Sequence, residues 1–348
     1  MTPERVPSIV VPERFRKFLV TDDFDRYGLE PGRPTPTPQY LQVELTDLCN
    51  LACAGCVRAV HDSSGGHLPL DVFVALLDQL PDLGHVSFVG AGEALIVRDF
   101  AAFVQACTDR SVFTSTNTNG LLVRRRLQAV LDAGLGLLAI SVDGADDATL
   151  GRMRSGLRRS QLSTALREAA EMTRQRDTAL SAAVTLSTAN LDQFPAIVDF
   201  VADHGVTRIS VESLHHWGED KTLNTESLFA ASPLMVVPHL EAGLARADEL
   251  GLQLSIFDYS RLASPAAGRA VCPWPWDAGY ITKDGDVTPC CIHMESSPGN
   301  VLGNIRKAPM AEIWTSQPYG ALRDSFLSQA PAWSSCEDCV YRMEFGRV

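Results

Sequence analysis

Cys49, Cys53 and Cys56 constrain this chain more than any other feature. They stand in QVELTDLCNLACAGCV, with three residues and then two between them, directly after a strand-like run. A loop of that size turns three thiolates toward one small inorganic core, and three sulfurs leave one metal position open. A closed structural zinc site takes four protein ligands, and iron-sulfur clusters are ordinarily held by four cysteines. A 4Fe-4S cluster on three cysteines therefore keeps one iron free for a cofactor. A zinc knuckle, or three thiols buried in a core, are the competing uses of the same residues.

The bulk composition narrows the partners. A chain of 348 residues is long for one minimal domain and suits a larger domain with an appendage. Its formal net charge of -12 argues against nucleic acid and anionic membrane surfaces, which require a basic face, and favours a small-molecule substrate. The opening MTPERVPSIVVPERF carries Glu4 and early prolines and does not read as a signal peptide. No apolar run has the length of a membrane span. A cytoplasmic protein is expected, in which nine cysteines are metal ligands or free thiols and not disulfides.

Residues 1–39 are proline-rich, end in PGRPTPTP and read as an extended arm. From Tyr40 onward strand-like and helix-like segments alternate, the pattern of a parallel α/β sheet. Strands are expected at Tyr40–Thr46, His85–Gly90, Ser111–Asn117, Gly136–Val142, Ala179–Leu186 and Val206–Glu212. Helical spacing falls at Leu70–Leu80, Phe100–Cys107, Leu121–Ala133, around Leu162–Met172 and at Phe194–His204. The organisation expected is an arm over 1–39, an α/β barrel-like unit over 40–257 and a small cysteine-bearing unit over 258–348.

The cysteine loop resembles the Cys-x3-Cys-x2-Cys signature of the radical S-adenosylmethionine (SAM) superfamily. That resemblance implies a partial (β/α)6 barrel, with the site built from loops at the C-terminal strand ends. It implies that the free iron binds the amino and carboxylate groups of SAM. One electron then cleaves SAM to methionine and a 5′-deoxyadenosyl radical, which takes a hydrogen atom from substrate. A flavodoxin- or ferredoxin-type electron donor follows from the same chemistry. One position departs from the pattern: the family often has an aromatic residue before the third cysteine, and Gly55 stands there. A packing contact over the adenine or cluster is then missing or supplied from elsewhere.

Later strand ends carry matching motifs. Gly90-Ala91-Gly92-Glu93 is similar to the family's Gly-Gly-Glu, where small residues admit close backbone approach and Glu93 would accept from the SAM ammonium. Asn117 and Asn119, in STNTNG, match the strand end that faces the methionyl and ribose groups. Ser141 and Asp143, in SVDG, match the next, with Asp143 also placed to cap the following helix. Arg154 matches an arginine that often meets the SAM carboxylate, and Arg152 is its rival. Glu212, His215 and His216 leave the sixth strand, where they face adenine or substrate or serve as surface residues.

A second cysteine set follows. Twelve residues separate Cys272 from Gly285, four more precede Cys290, and Cys336 and Cys339 form a Cys-x2-Cys. Tyr280–Pro289 reads as a hairpin turning at Asp284-Gly285. The set resembles the SPASM/twitch extension of radical SAM enzymes, which implies one auxiliary 4Fe-4S cluster on Cys272, Cys290, Cys336 and Cys339; a closed zinc site is the competing use of four cysteines. Trp274 and Trp276 are expected around that cluster, and Cys107 in a helix core. Cys291 would point away from Cys290, as an alternative ligand, a buried thiol or a hydrogen-atom donor. By resemblance to twitch enzymes of antibiotic sugars, aminocyclitols and sugar nucleosides, the expected reaction is alcohol oxidation of a carbohydrate-like molecule. Epimerisation, dehydration or decarboxylation of such a substrate, or peptide modification, are the alternatives.

Overall fold

The computed structural model describes residues 34–59, 64–218, 226–256, 270–336, 339 and 343–344. Most of the expected N-terminal arm, and the boundary expected at 257/258, lie outside the described residues. Seven parallel strands run in sequence order: β1 (Tyr40–Val43), β2 (His85–Phe88), β3 (Phe113–Thr118), β4 (Leu137–Ser141), β5 (Ala179–Leu186), β6 (Arg208–Ser213) and β7 (Gln253–Ile256). Helices α1 (Leu70–Leu77), α2 (Phe100–Thr108), α3 (Val123–Asp132), α4 (Asp147–Met153), α5 (Arg159–Thr173), α6 (Phe194–Asp203) and α7 (Pro233–Glu249) connect them.

The seventh unit was not expected from the sequence. Pro238 lies inside α7 and breaks the helical signature, since proline in a helix interior costs about 3 kcal/mol. Packing supports the helix regardless: Val236, Leu240, Leu244 and Ala247 are buried, and Gly243 lies so close to the Phe194 ring that a methyl group there would collide with it.

Alternation along the strands divides the sheet into two faces. Leu41, Val43, Val86, Phe88, Leu138 and Ile140 point into one continuous apolar core under the helices. The alternate positions are small and polar: Gln42, Ser87, Ser115, Ser141 and Ser181 are each buried on the other face. Register brings Gln42 beside Ser87 and Ser87 beside Ser115, forming a polar belt across neighbouring strands. A buried belt of hydroxyls is a poor core, and it suits a face that receives a polar ligand.

The C-terminal region continues the same sheet. β9 (Ala278–Ile281) pairs parallel with β1 on the side opposite β2, and β10 (Asp286–Thr288) and β11 (Gly303–Asn304) follow antiparallel, giving ten strands in all. The expected hairpin is present, with Gly285 at φ +82° in its turn. A separate short ladder joins β8 (Ala270–Val271) to β12 (Met343–Glu344) and brings the chain beyond Cys339 back beside Cys272. Trp276, Trp314 and Tyr319 fill the region's core, with the Arg323 guanidinium over the Trp314 ring at 4.6 Å. Trp276 belongs to this core and packs on Phe326.

Candidate active site

The cysteine loop leaves β1 at the C-terminal edge of the sheet, and neighbouring backbone fixes it at several points. The Ala52 N–H donates to the Ser155 carbonyl at 3.4 Å, and Arg58 donates to the Leu51 carbonyl at 3.1 Å. Asp47, two residues before Cys49, accepts from the Ser64 and Gly65 N–H groups at 2.9 and 3.1 Å. All three thiols are partly buried and free of disulfides. Burial pushes the Cys53 and Cys56 thiols above their ordinary range, and a metal that bound them would take the place of the proton.

Gly55 shows where the missing aromatic went. A Cβ there would lie 2.7 Å from Leu214 Cδ1, and the Trp217 indole N–H donates to the Gly55 carbonyl at 3.1 Å. Leu214, which follows β6, thus occupies the space, and Trp217 packs against the small cluster of Val57, Tyr280 and Met294. Gly55→Phe should therefore expel Leu214 and cost about 1–3 kcal/mol as an overpacked site, read as a lowered thermal midpoint. A midpoint equal to that of the unchanged protein would show that the pocket is not filled this way.

The Gly90–Glu93 turn is moulded onto the cysteine loop. A methyl at Gly90 would meet the Glu44 side chain at 2.6 Å, and one at Gly92 would strike the carbonyl oxygens of Thr46 and Leu48. Both glycines are set by close approach. Glu93 faces inward: it is 3% exposed, and its carboxylate accepts from Thr118 Oγ1 at 2.8 Å, the Asn119 N–H at 2.9 Å and the Leu95 N–H at 3.2 Å. These contacts hold Asn119, whose Nδ2 reaches Asn50 Oδ1 at 2.8 Å and Cys49 Sγ at 3.8 Å. Glu93 is thus oriented by the protein frame in the turn that the sequence assigns to the SAM ammonium.

Arg154 ends α4 and is largely buried. Its Nε meets Asp143 Oδ2 at 2.6 Å, and its charge acts on Cys53, Cys56 and Glu93. Arg152 is exposed on α4. Asp143 does not cap that helix; Asp146 does, accepting from the Thr149 N–H at 2.7 Å, while Asp143 Oδ1 accepts from the Thr185 N–H at 2.8 Å. Ser141 is buried at the end of β4, and Asn117 is exposed near the end of β3.

At the N-terminal strand ends the polar face carries an aromatic row. Ring centroids are 5.8 Å apart for Trp274 and Tyr40, 5.0 Å for Tyr40 and His85, and 5.1 Å for His85 and Phe113. His85 Nε2 lies 2.8 Å from Ser115 Oγ, and burial pushes its pKa down to about 4, leaving it neutral at pH 7. Burial takes His215 down to about 4 as well, against the pull of Glu212. Glu212 itself is exposed, at the end of β6. The Gly218 N–H donates to the Ile292 carbonyl at 2.9 Å, so the segment after β6 meets the C-terminal region.

Cys272, Cys290, Cys336 and Cys339 line one cavity, walled by apolar residues including Trp274, Phe326 and Trp333. His293 lies there too, its ring 4.6 Å from that of Trp333. Burial pushes the Cys290 thiol up to about 12. Among the described residues no three His, Cys, Asp or Glu side chains close on a single-ion position. Four thiols spread round an apolar cavity are the donor set of a polynuclear iron-sulfur cluster. Cys291 does not line this cavity; it packs against the small cluster of Val57, Tyr280 and Met294. Cys107 is fully buried in the helix layer.

A parallel barrel-like sheet with three thiols on its first C-terminal loop, joined to a four-thiol cavity, defines a two-cluster radical enzyme. Comparison with known families agrees: residues 43–210 match the radical SAM superfamily, and residues 272–340 match the SPASM iron-sulfur cluster-binding domain. The chain belongs to the radical SAM superfamily and carries a SPASM-type extension. Its cofactors are SAM, the 4Fe-4S cluster that binds SAM, and an auxiliary cluster. It is similar to PqqA peptide cyclase of Bradyrhizobium diazoefficiens, 27% identical over 320 residues, covering 89% of this chain and 80% of that protein. It is also similar to the tungsten-containing aldehyde ferredoxin oxidoreductase cofactor-modifying protein of Pyrococcus furiosus, 24% identical over 324 residues, covering 87% and 88%. In fold it is similar to Streptococcus suis SuiB bound to S-adenosylmethionine, with a TM-score of 0.68, 18% identity, and 91% of this chain and 73% of that one covered. No helix among the described residues is long and apolar enough to cross a membrane.

Proposed function

We propose that this radical SAM enzyme acts on a peptide, abstracting hydrogen from a residue and leaving it cross-linked or oxidised. The observation that carries the proposal is the 27% identity to a PqqA peptide cyclase across 89% of this chain. A peptide, the lesser expectation from sequence, thereby stands ahead of a sugar or aminocyclitol. The test is anaerobic incubation of the reduced protein with SAM and synthetic peptides encoded by short reading frames beside its gene. Faster release of 5′-deoxyadenosine and a peptide product of altered mass are expected; stimulation by carbinol-bearing sugars alone would sink the peptide substrate.

In this proposal Cys49, Cys53 and Cys56 hold the SAM-binding cluster, and Cys272, Cys290, Cys336 and Cys339 hold the auxiliary one. SAM and its cluster supply the hydrogen-abstracting radical, and the auxiliary cluster supplies an electron acceptor. The protein's own part is positioning. Gly90 and Gly92 admit close approach, Asn117, Asn119, Ser141 and Glu212 present polar groups to SAM, and Arg154, oriented by Asp143, pairs with its carboxylate. Electrons come from a flavodoxin- or ferredoxin-type donor. Arg154→Lys should raise the Kd for SAM about tenfold or more, because lysine cannot reproduce a forked guanidinium contact. Arg152→Ala should leave it within about twofold, as for an exposed side chain. Equal effects in a SAM titration would remove Arg154 from the site.

A second possibility, epimerisation of a small molecule, rests on Cys291. This thiol lies outside the auxiliary cavity and packs against the same small cluster of Val57, Tyr280 and Met294 that Cys56 packs against. Its S–H would give a hydrogen atom to a substrate radical, leaving a thiyl radical that the external donor's electron and a solvent proton restore. An unchanged product from Cys291→Ala disposes of it.

A further inference from the structure

One buried carboxylate touches both halves of the molecule and has no part in the chemistry above. Glu44, 7% exposed just beyond β1, has Oε2 accepting from the Ala91 N–H at 3.0 Å, inside the Gly90–Glu93 turn. Oε2 also accepts from the Tyr280 hydroxyl at 3.3 Å, and Oε1 accepts from the Lys283 N–H at 3.3 Å. Tyr280 and Lys283 belong to the β9–β10 hairpin, which leads to Cys290. The Glu44 N–H donates in turn to the Ile281 carbonyl at 2.8 Å.

The Lys283 side chain makes a second tie to the same place. It is 5% exposed, and its Nζ lies 2.8 Å from Ser64 Oγ, 2.7 Å from Asp284 Oδ2 and 3.7 Å from Asp47 Oδ2. Asp47 in turn anchors the backbone of Ser64 and Gly65. The hairpin is thereby fastened by main chain to the glutamate behind the Gly90–Glu93 turn, and by side chain to the base of the cysteine loop. A carboxylate with three internal donors is strongly oriented, and leaving any of those donors unpaired in a buried site is costly. Gly90 records the constraint from the other side, since the Glu44 side chain fills the space of its Cβ.

We infer that Glu44 is a positioning residue that sets the SAM-binding turn against the auxiliary hairpin, so that the auxiliary region helps determine affinity for SAM. This rests on assigning the SAM site to the Cys49–Cys56 and Gly90–Glu93 loops, and it is independent of the substrate.

The test uses holoprotein with both clusters reduced, titrated with SAM and followed by electron paramagnetic resonance. Wild type serves as the control for the site itself: a spectrum indifferent to SAM would overturn the site assignment, and the inference with it. In Glu44→Gln the amide NH2 faces an N–H donor, so one of Ala91 and Lys283 loses its acceptor. The expected result is about tenfold weaker SAM binding and an altered SAM-bound signal, with iron content and the auxiliary signal unchanged. SAM affinity within twofold of wild type in an iron-replete Glu44→Gln protein overturns the inference. If that variant fails to retain iron, Tyr280→Phe decides. It removes one donor from the hairpin side at nearly constant shape, and about threefold weaker SAM binding supports the inference. An unchanged Kd for Tyr280→Phe then refutes it.

Discussion

Changing Cys49, Cys53 and Cys56 together to alanine should lower iron from about eight to about four per chain, with acid-labile sulfide falling in step, as two four-iron clusters require. Reductive cleavage of SAM should vanish. The reverse pair, Cys272→Ala with Cys290→Ala, should also leave about four irons but keep SAM cleavage without substrate. The loop around the first three cysteines is tied through Ala52, Gly55 and Arg58, none of which needs the thiols, so the barrel should remain folded in the triple variant. Loss of all iron in the triple variant would mean that the clusters assemble as one unit. Four irons falling to none would remove the auxiliary cluster, and bound zinc without iron would overturn both.

Gly92→Ala should be nearly as damaging, although it adds one methyl group. The methyl would be driven into the carbonyl oxygens of Thr46 and Leu48. Backbone cannot swing aside as a flexible side chain can, so either the turn or the cysteine loop must move. Movement of the turn breaks the Glu93 N–H to Leu48 carbonyl bond of 2.9 Å and pulls on the carboxylate that holds Thr118 and Asn119. A cost of about 3 kcal/mol is expected, at the upper end for overpacking. Iron should fall toward about four as the first cluster is lost. The matched control is Gly151→Ala, in α4, where nothing lies within 4 Å of an added Cβ. That change should stabilise by roughly 0.5–1 kcal/mol through helix propensity. Two variants with equal melting midpoints and equal iron would show that the turn is not packed as described.

What the sequence made legible was local. Strand-helix alternation from Tyr40 to Glu212 placed six units with ends displaced by a few residues, and the cysteine spacings marked both thiol sets. The seventh unit escaped because Pro238 interrupts its pattern, and packing, chiefly on α6, supports the helix. Parallel pairing of β9 with β1 joins residues more than two hundred positions apart, and neither strand carries a mark of its partner. The same holds for Leu214 and Trp217 beside Gly55, and for Glu44 beneath Ala91: a long-range contact leaves no periodicity to read. Trp276 was legible as buried but not as to where, since the chain can turn either of two nearby indoles toward a cavity. The substrate lay furthest out of reach, because a polar barrel face of serines specifies hydrogen bonding and not an identity.

The β1–β9 pairing also bears on how such a protein can be divided. In the intact chain β1 is an interior strand, with β2 on one side and β9 on the other. Cutting away the C-terminal region would strip one side of β1 and expose a row of unpaired N–H and C=O groups next to the cysteine loop. A bare edge of that kind invites a neighbouring molecule to add its own strand. A barrel produced alone should therefore self-associate through the very strand that carries its catalytic loop.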